Sequence, residues 1–413
     1  MRIALLSYRG NPYCGGQGVY VYYLSRELTR LGHQVVVLAG PPYPRVPEGV
    51  PLVRVPSLDL YAGDGLSPRC LRRARGMVDF LEYAMAVSGL YPEPLTFSLR
   101  VVRLLQRWPV DVVHDNQSLG FGLLRLKARG LTVVATIHHP IHIDRAFALA
   151  AARSRWERWG VGNWYWFLWM QGIVARRLPL LITVSQRACA DVVRYMGVDA
   201  HKLRVVANGV DAQAFRPLPG VERHPRRLIL VNSADMPIKG LQHFYEAVAR
   251  VAAQRPVEVV VVGEKRPGHL AYLTRYRLDG RVRFLGRLET EDLVREYSKA
   301  ALAICPSLYE GFGLPAAEAM ACGVPVVAFA AGALPEVVGD DGEAGCLVPC
   351  YDAEAMARAI VELLDDPERR ARMGEAGRQR VLRLFSWERA ARETVRVYEE
   401  ALALRRGPSP CSP

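Results

Sequence analysis

The chain reads as α/β, with two domains each built on a parallel sheet. Three observations predict this. A length of 413 residues exceeds one ordinary core and suits two domains of about 200 residues each. Short apolar runs recur, separated by stretches of helical periodicity. Most runs lead into a polar or glycine-bearing loop, the place where open parallel sheets bind ligands. The expected boundaries are 1–207, a linker 208–225, a second domain 226–385, a helix 386–406 crossing back toward the first domain, and a disordered tail 407–413.

Composition narrows the function. The formal charge is +13, and arginine carries nearly all of it, since only 5 of the 54 basic residues are lysine. Such a surface suits a phosphorylated substrate, an anionic bilayer or nucleic acid. Nucleic acid is set aside because no helix-turn-helix, zinc-finger or RNA-binding sheet motif is found. The eight cysteines are scattered, and only Cys346 and Cys350 lie close together, a reduced, cytoplasmic pattern with no metal-type pairs. Met1 to Leu6 runs straight into a strand, leaving no room for a signal peptide. No apolar run reaches the ~20 residues of a membrane span, so a place at the inner face of the membrane would be by surface attachment.

In order, Arg2 to Ser7 reads as a buried strand and is followed by Gly10, Gly15, Gly16 and Gly18. Val21, Leu24, Leu28 and Leu31 mark a helical face stopped by Gly32, and Gln34 to Ala39 is the next strand. The glycines do not fit the dinucleotide fingerprint, and no acid ends the second strand, which disfavours a Rossmann oxidoreductase. Gly18 reads as an ordinary tight turn. Val110 to His114 and Thr132 to Ile137 are further strands. The first leads into His114, Asp115, Asn116 and Gln117, the second into His138, His139 and His142. Three histidines from one loop, interrupted by Pro140 and with no spaced carboxylate, do not make a metal site.

Leu58 to Tyr91 is a long excursion bearing Arg69, Arg72, Arg73 and Arg75. Arg153 to Arg177 holds five of the seven tryptophans among arginines, which favours a bilayer interface or a wall that stacks on sugars. The alternative is a helix packing its aromatic face inside the domain. Leu180 to Val184 and Arg204 to Ala207 close this half as strands, before the Asn208-Gly209 turn and a Pro/Gly-rich boundary.

The second half opens with the strand Leu228 to Val231 and the loop Asn232 to Gly240, which contains Ser233 and Lys239. Glu258 to Gly263 and Val282 to Leu285 continue the alternation. Ala301 to Cys305 and Val324 to Phe329 then flank a loop with Glu310, Gly311, Phe312 and Gly313, and a helix from Leu314 that carries Glu318. Glycines that admit close backbone approach, helix-start amides and two carboxylates suit an anionic, hydroxyl-rich ligand. An ordinary βα turn with a capping glutamate is the plainer reading of the same residues.

This stretch resembles the signature of the retaining GT-B glycosyltransferases of the family 4 type, which include sucrose synthase and bacterial mannosyltransferases. The match is two glutamates eight residues apart with Gly-Phe-Gly-Leu-Pro between them and Gly-Val-Pro-Val after. The resemblance implies two Rossmann-like domains facing across a cleft, an acceptor-binding first domain and a nucleotide-sugar-binding second. It further implies that Glu310 contacts the transferred sugar, Glu318 the ribose, Lys239 the donor phosphates, and His138 the sugar near its reacting carbon. Gly15 and Gly16 match the loop that approaches the diphosphate. Phe284 to Arg287 falls where the family seats its base, and Glu336 in the loop that closes the diphosphate pocket. Relatives commonly have an arginine where this chain has Ser233 and Ala234, so Arg287, Lys265 or a helix N-terminus would share its load.

The expected function is therefore transfer of a hexose from a nucleotide-diphosphate sugar to a hydroxyl acceptor, a glycan, a lipid (lipid-linked acceptors included) or a small molecule, with no metal or other cofactor. A sugar-nucleotide epimerase and a non-catalytic sugar-nucleotide sensor stay open. The excursion and the Trp/Arg segment are acceptor-side candidates.

Overall fold

Runs rich in valine, leucine and isoleucine become strands buried on both faces, as parallel sheets covered by helices require. The computed structural model describes residues 1–10, 16–61, 65–232, 235–339 and 342–406, without the side chain of residue 107. Gly15, Ser233 and the tail 407–413 lie outside them.

The chain divides into two units. The first comprises Met1–Val206 together with the residues from Ala390 onward, and the second is Ala207–Arg389. In the first, β1 (Arg2–Ser7), β2 (Gln34–Ala39), β3 (Leu52–Arg54), β4 (Val112–Asn116), β5 (Thr132–Ile137), β6 (Leu180–Thr183) and β7 (Leu203–Val205) form one parallel sheet. Its order is β3-β2-β1-β4-β5-β6-β7. In the second, β8 (Arg227–Val231), β9 (Glu258–Val262), β10 (Val282–Phe284), β11 (Leu302–Cys305), β12 (Val326–Phe329) and β13 (Gly345–Val348) form another. Its order is β10-β9-β8-β11-β12-β13.

Both orders reverse direction once, between β1 and β4 and between β8 and β11. The chain leaves those neighbours toward opposite sheet edges, and the strand ends at such a reversal are where open parallel sheets bind ligands. The loop after β11 contains Glu310, and β4 ends next to Gln117.

Three local readings change. β4 runs on to Asn116, so His114, Asp115 and Asn116 are strand residues, buried because their ladder continues against β5. Gly18 lies buried inside the helix Gly16–Arg30 and is no turn. The Trp/Arg segment splits: the helix Arg155–Trp164 buries none of its residues, so its tryptophans are no core face, whereas Trp166 and the helix Phe167–Arg177 pack on the core of the first unit. The last helix, Trp387–Arg406, follows Ser386, whose hydroxyl accepts the Arg389 amide at 3.1 Å, and from Ala390 it belongs to the first unit. Among the described residues no helix is long and apolar enough to cross a membrane.

Candidate active site

In the second unit the β8 loop ends in a tight turn, Pro237–Lys239, closed by Gly240 at φ 62°. A Cβ on Gly240 would stand 2.0 Å from the Pro306 carbonyl oxygen, so only glycine lets this loop touch the one after β11. The Leu308 amide completes the seam, donating to the Ile238 carbonyl at 2.8 Å. Because β8 and β11 are neighbours, this seam carries Lys239 to Glu310: Nζ donates to Oε1 at 2.8 Å. The Ser307 hydroxyl donates to the same oxygen at 2.7 Å. Neither charge is deeply buried, with 28% of the lysine and 17% of the glutamate side chain exposed, so both reach solvent and a ligand.

A third loop fixes Glu310 from the other side. After β12, the Ala333 amide donates to the Glu310 carbonyl at 2.9 Å. Gly332, at φ 55°, lies so close that a Cβ would sit 2.3 Å from that carbonyl. Glu310 is thus held at its backbone by one neighbouring crossover and at its carboxylate by another. Gly311 and Phe312 complete the loop, and Phe312 is buried edge-on against Phe385 at 5.3 Å. Gly313, at φ 101°, opens the helix Leu314–Ala321, and its carbonyl accepts the Ala316 and Ala317 amides. Glu318 lies on that helix, partly exposed at its surface yet set among groups that strip it of water, and burial pushes its carboxyl up to about 8. Behind it Tyr297 is buried and donates to the Pro315 carbonyl at 3.1 Å.

The cations expected to share the phosphate load differ from one another. Arg287 is exposed and paired with Glu264 at 3.0 Å, so its charge is already matched. Lys265 lies 5.7 Å from the centre of the Phe284 ring. Glu336 sits in the first turn of Leu334–Val338, where its carbonyl accepts from Arg380 at 2.9 Å.

In the first unit Gln117 adopts φ 59°, a left-handed conformation that a long side chain rarely takes. There its amide side chain brackets the loop after β5: Oε1 accepts the His138 amide and Nε2 donates to the His139 carbonyl, both at 2.7 Å. His138 Nε2 lies 2.7 Å from Asn116 Oδ1, an acceptor, which places the ring proton on Nε2 and leaves Nδ1 a lone pair. Burial, with His139 and His114 close by, lowers its pKa to about 3, so the imidazole is neutral at ordinary pH. The histidines take separate partners: His139 Nε2 meets Asp144 at 2.6 Å, and the His142 ring lies parallel to Tyr195. Among the described residues no three His, Cys, Asp or Glu side chains gather as metal ligands.

A buried polar chain backs His138. Tyr20 stands edge-on to it at 4.9 Å and its hydroxyl lies 2.9 Å from Thr136. Thr136 is 2.7 Å from His114 Nε2, and His114 Nδ1 is 2.6 Å from the Tyr398 hydroxyl on the last helix. Burial also lowers the His114 pKa to about 3, so this ring too is neutral. Ser307, Thr136, Tyr20 and Tyr398 were not singled out by sequence. Only Ser307 carried a signal, a hydroxyl in the loop at a strand's carboxyl end. Gly16 begins the helix after the β1 loop.

The chain resembles known proteins along nearly its whole length. The description "Glycosyl transferases group 1" matches residues 219–380 and "Glycosyltransferase Family 4" matches residues 14–214. The chain is 45% identical over 409 residues to MMP alpha-(1->4)-mannosyltransferase of Mycolicibacterium hassiacum, covering 98% of this chain and 99% of that one. Sucrose-phosphate synthase from Thermosynechococcus elongatus superposes with a TM-score of 0.75 at 25% identity, covering 98% of this chain and 100% of that structure. HepE of Anabaena, solved in complex with UDP-glucose, shares the fold with a TM-score of 0.69 at 19% identity, covering 97% and 100%. Two parallel-sheet units, crossover loops converging on a Lys-Glu pair, and likeness along nearly the whole chain lead to one conclusion: this protein belongs to the GT-B glycosyltransferases of the family 4 type.

Proposed function

We propose that the chain is a retaining hexosyltransferase that moves a hexose, mannose by preference, from a nucleotide-diphosphate sugar to a hydroxyl acceptor. The observation that carries the reading is the Lys239–Glu310 contact at 2.8 Å, held by loops that only Gly240 and Gly332 allow. In transfer the bond from the anomeric carbon to the diphosphate breaks and its electron pair stays on the phosphate oxygen. The acceptor oxygen bonds to that carbon, and its proton goes to the departing diphosphate. Lys239 stabilises the charge building there without a metal ion. Glu310 receives sugar hydroxyls, and the family resemblance gives the neutral His138 its role near the reacting carbon. Glu318 meets the ribose; with its carboxyl raised to about 8 it both donates and accepts at neutral pH.

Support for a nucleotide-sugar donor comes from HepE, a protein of this fold solved with UDP-glucose, and support for mannose from the mannosyltransferase at 45% identity. Cys70, Cys305, Cys322 and Cys350 are free thiols, which suits a reducing cytoplasm. The test is a thermal-shift panel of UDP-, GDP- and ADP-sugars, followed by transfer with the stabilising donor and NMR of the new anomeric centre. The reading predicts one preferred donor and an α product from an α donor. An inverted product removes the retaining assignment, and donor consumed without transferred sugar favours an epimerase.

A further inference from the structure

The helix Met77–Val87 turns its apolar side outward. Met77, Phe80, Leu81, Ala84 and Val87, spaced three and four apart, share one face and are all exposed, Met77 at 83% and Phe80 at 56%. The opposite face carries Asp79 and Glu82, both paired with Arg100 of the next helix. Glu82 is buried and also accepts the Leu58 amide at 3.3 Å. These ion pairs fix the helix's rotation, because turning the apolar face inward would break them both and leave Arg100 unmatched. Arg69, Arg72, Arg73 and Arg75, immediately before the helix, are exposed. The helix Arg155–Trp164 also exposes tryptophans, Trp156 at 81% and Trp159 at 62%. The last residue of that helix, Trp164, packs on Tyr61 at 5.3 Å. Tyr61 in turn packs on the small core of Leu58, Leu60, Cys70 and Ala86 beneath the first helix.

We propose that this face docks the first unit onto an anionic lipid bilayer, with the apolar stripe at the acyl boundary and the arginines on the phosphate headgroups. An in-plane helix with one apolar face, a basic row beside it and tryptophans at the rim matches the chemistry of that interface. A second copy fits worse. A two-fold dimer sets a patch against itself, bringing arginine rows together, while the acidic residues of this helix are turned away toward Arg100. The inference goes beyond the transfer reaction and does not depend on it.

The experiment is cosedimentation of the full chain with vesicles of phosphatidylglycerol and phosphatidylcholine in equal parts, against phosphatidylcholine alone. Two double variants accompany it, Phe80→Glu with Leu81→Glu and Arg72→Glu with Arg75→Glu, at exposed positions where circular dichroism and melting should match the parent. Expected are binding to the anionic vesicles, sensitivity to salt, and about tenfold weaker binding for each variant. Absence of binding to anionic vesicles, or binding that both variants leave unchanged, overturns the proposal. So does a dimer in light scattering that the Phe80/Leu81 variant dissociates, since a second copy would then cover the stripe.

Discussion

His114 Nδ1 lies 2.6 Å from the hydroxyl of Tyr398, a residue 284 positions further along the chain. Both side chains are buried, and no water reaches the ring to replace the hydroxyl. Tyr398→Phe should therefore lower stability by about 1–3 kcal/mol, the cost of an unsatisfied buried polar group. Urea unfolding measures it, and an unchanged midpoint would mean that the ring finds another partner.

The glycines at the loop seams give a second prediction. Gly240→Ala and Gly332→Ala each put a methyl group on a backbone oxygen at a positive φ, so the loops must separate. Donor affinity should fall at least about tenfold in both, because Lys239 and Glu310 lose their register. Gly280→Ala, also at positive φ but with nothing within 4 Å, is the control and should keep donor affinity.

Within the pair, Lys239→Met and Glu310→Gln should each lower kcat/KM by about 10²–10³-fold. The double variant should lose far less than the product of the two, since each single change leaves the other charge without its partner. Glu318→Ala should instead weaken nucleotide binding in calorimetry. Additive losses in the double variant would separate Lys239 and Glu310 functionally.

Glu318 also sets a pH dependence. Its folded-state carboxyl stands at about 8, raised by burial, whereas the unfolded chain returns it to the ordinary range near ~4.3. Between those values the folded state keeps a proton that the unfolded state has released, so stability falls as pH rises through this window and is level above it. Glu318→Gln cannot ionise. Its melting temperature relative to the parent should be level below about pH 4 and several degrees higher near about pH 9. A difference that ignores pH would locate the effect elsewhere.

Much of this was legible in the sequence, for identifiable reasons. Parallel strands buried on both faces are unbroken apolar runs, so β1, β2, β5 and β8 could be read directly. Glu310, Gly313 and Glu318 stand in one local motif whose spacing survives without a fold. Polar residues at the end of β4 concealed that strand's true end, because His114 and Asn116 are paid no heed by a pattern that looks only for apolar runs. The outward face of Met77–Val87 was equally hidden. Apolar periodicity reports that a helix has two faces, and only Arg100, 18 residues after Glu82, decides which one turns in. Tyr398 could not be found, since nothing near either end of its bond to His114 records the other.

The first unit is discontinuous: residues from Ala390 onward complete what Met1–Val206 begins. On the ribosome its sheet can assemble early, but Nδ1 of His114 has no hydroxyl to meet until Tyr398 has been synthesised and has left the exit tunnel. Translation therefore delivers the whole intervening unit before the first one is sealed, and a nascent chain released short of its final helix would carry an open seam that quality-control proteases can recognise.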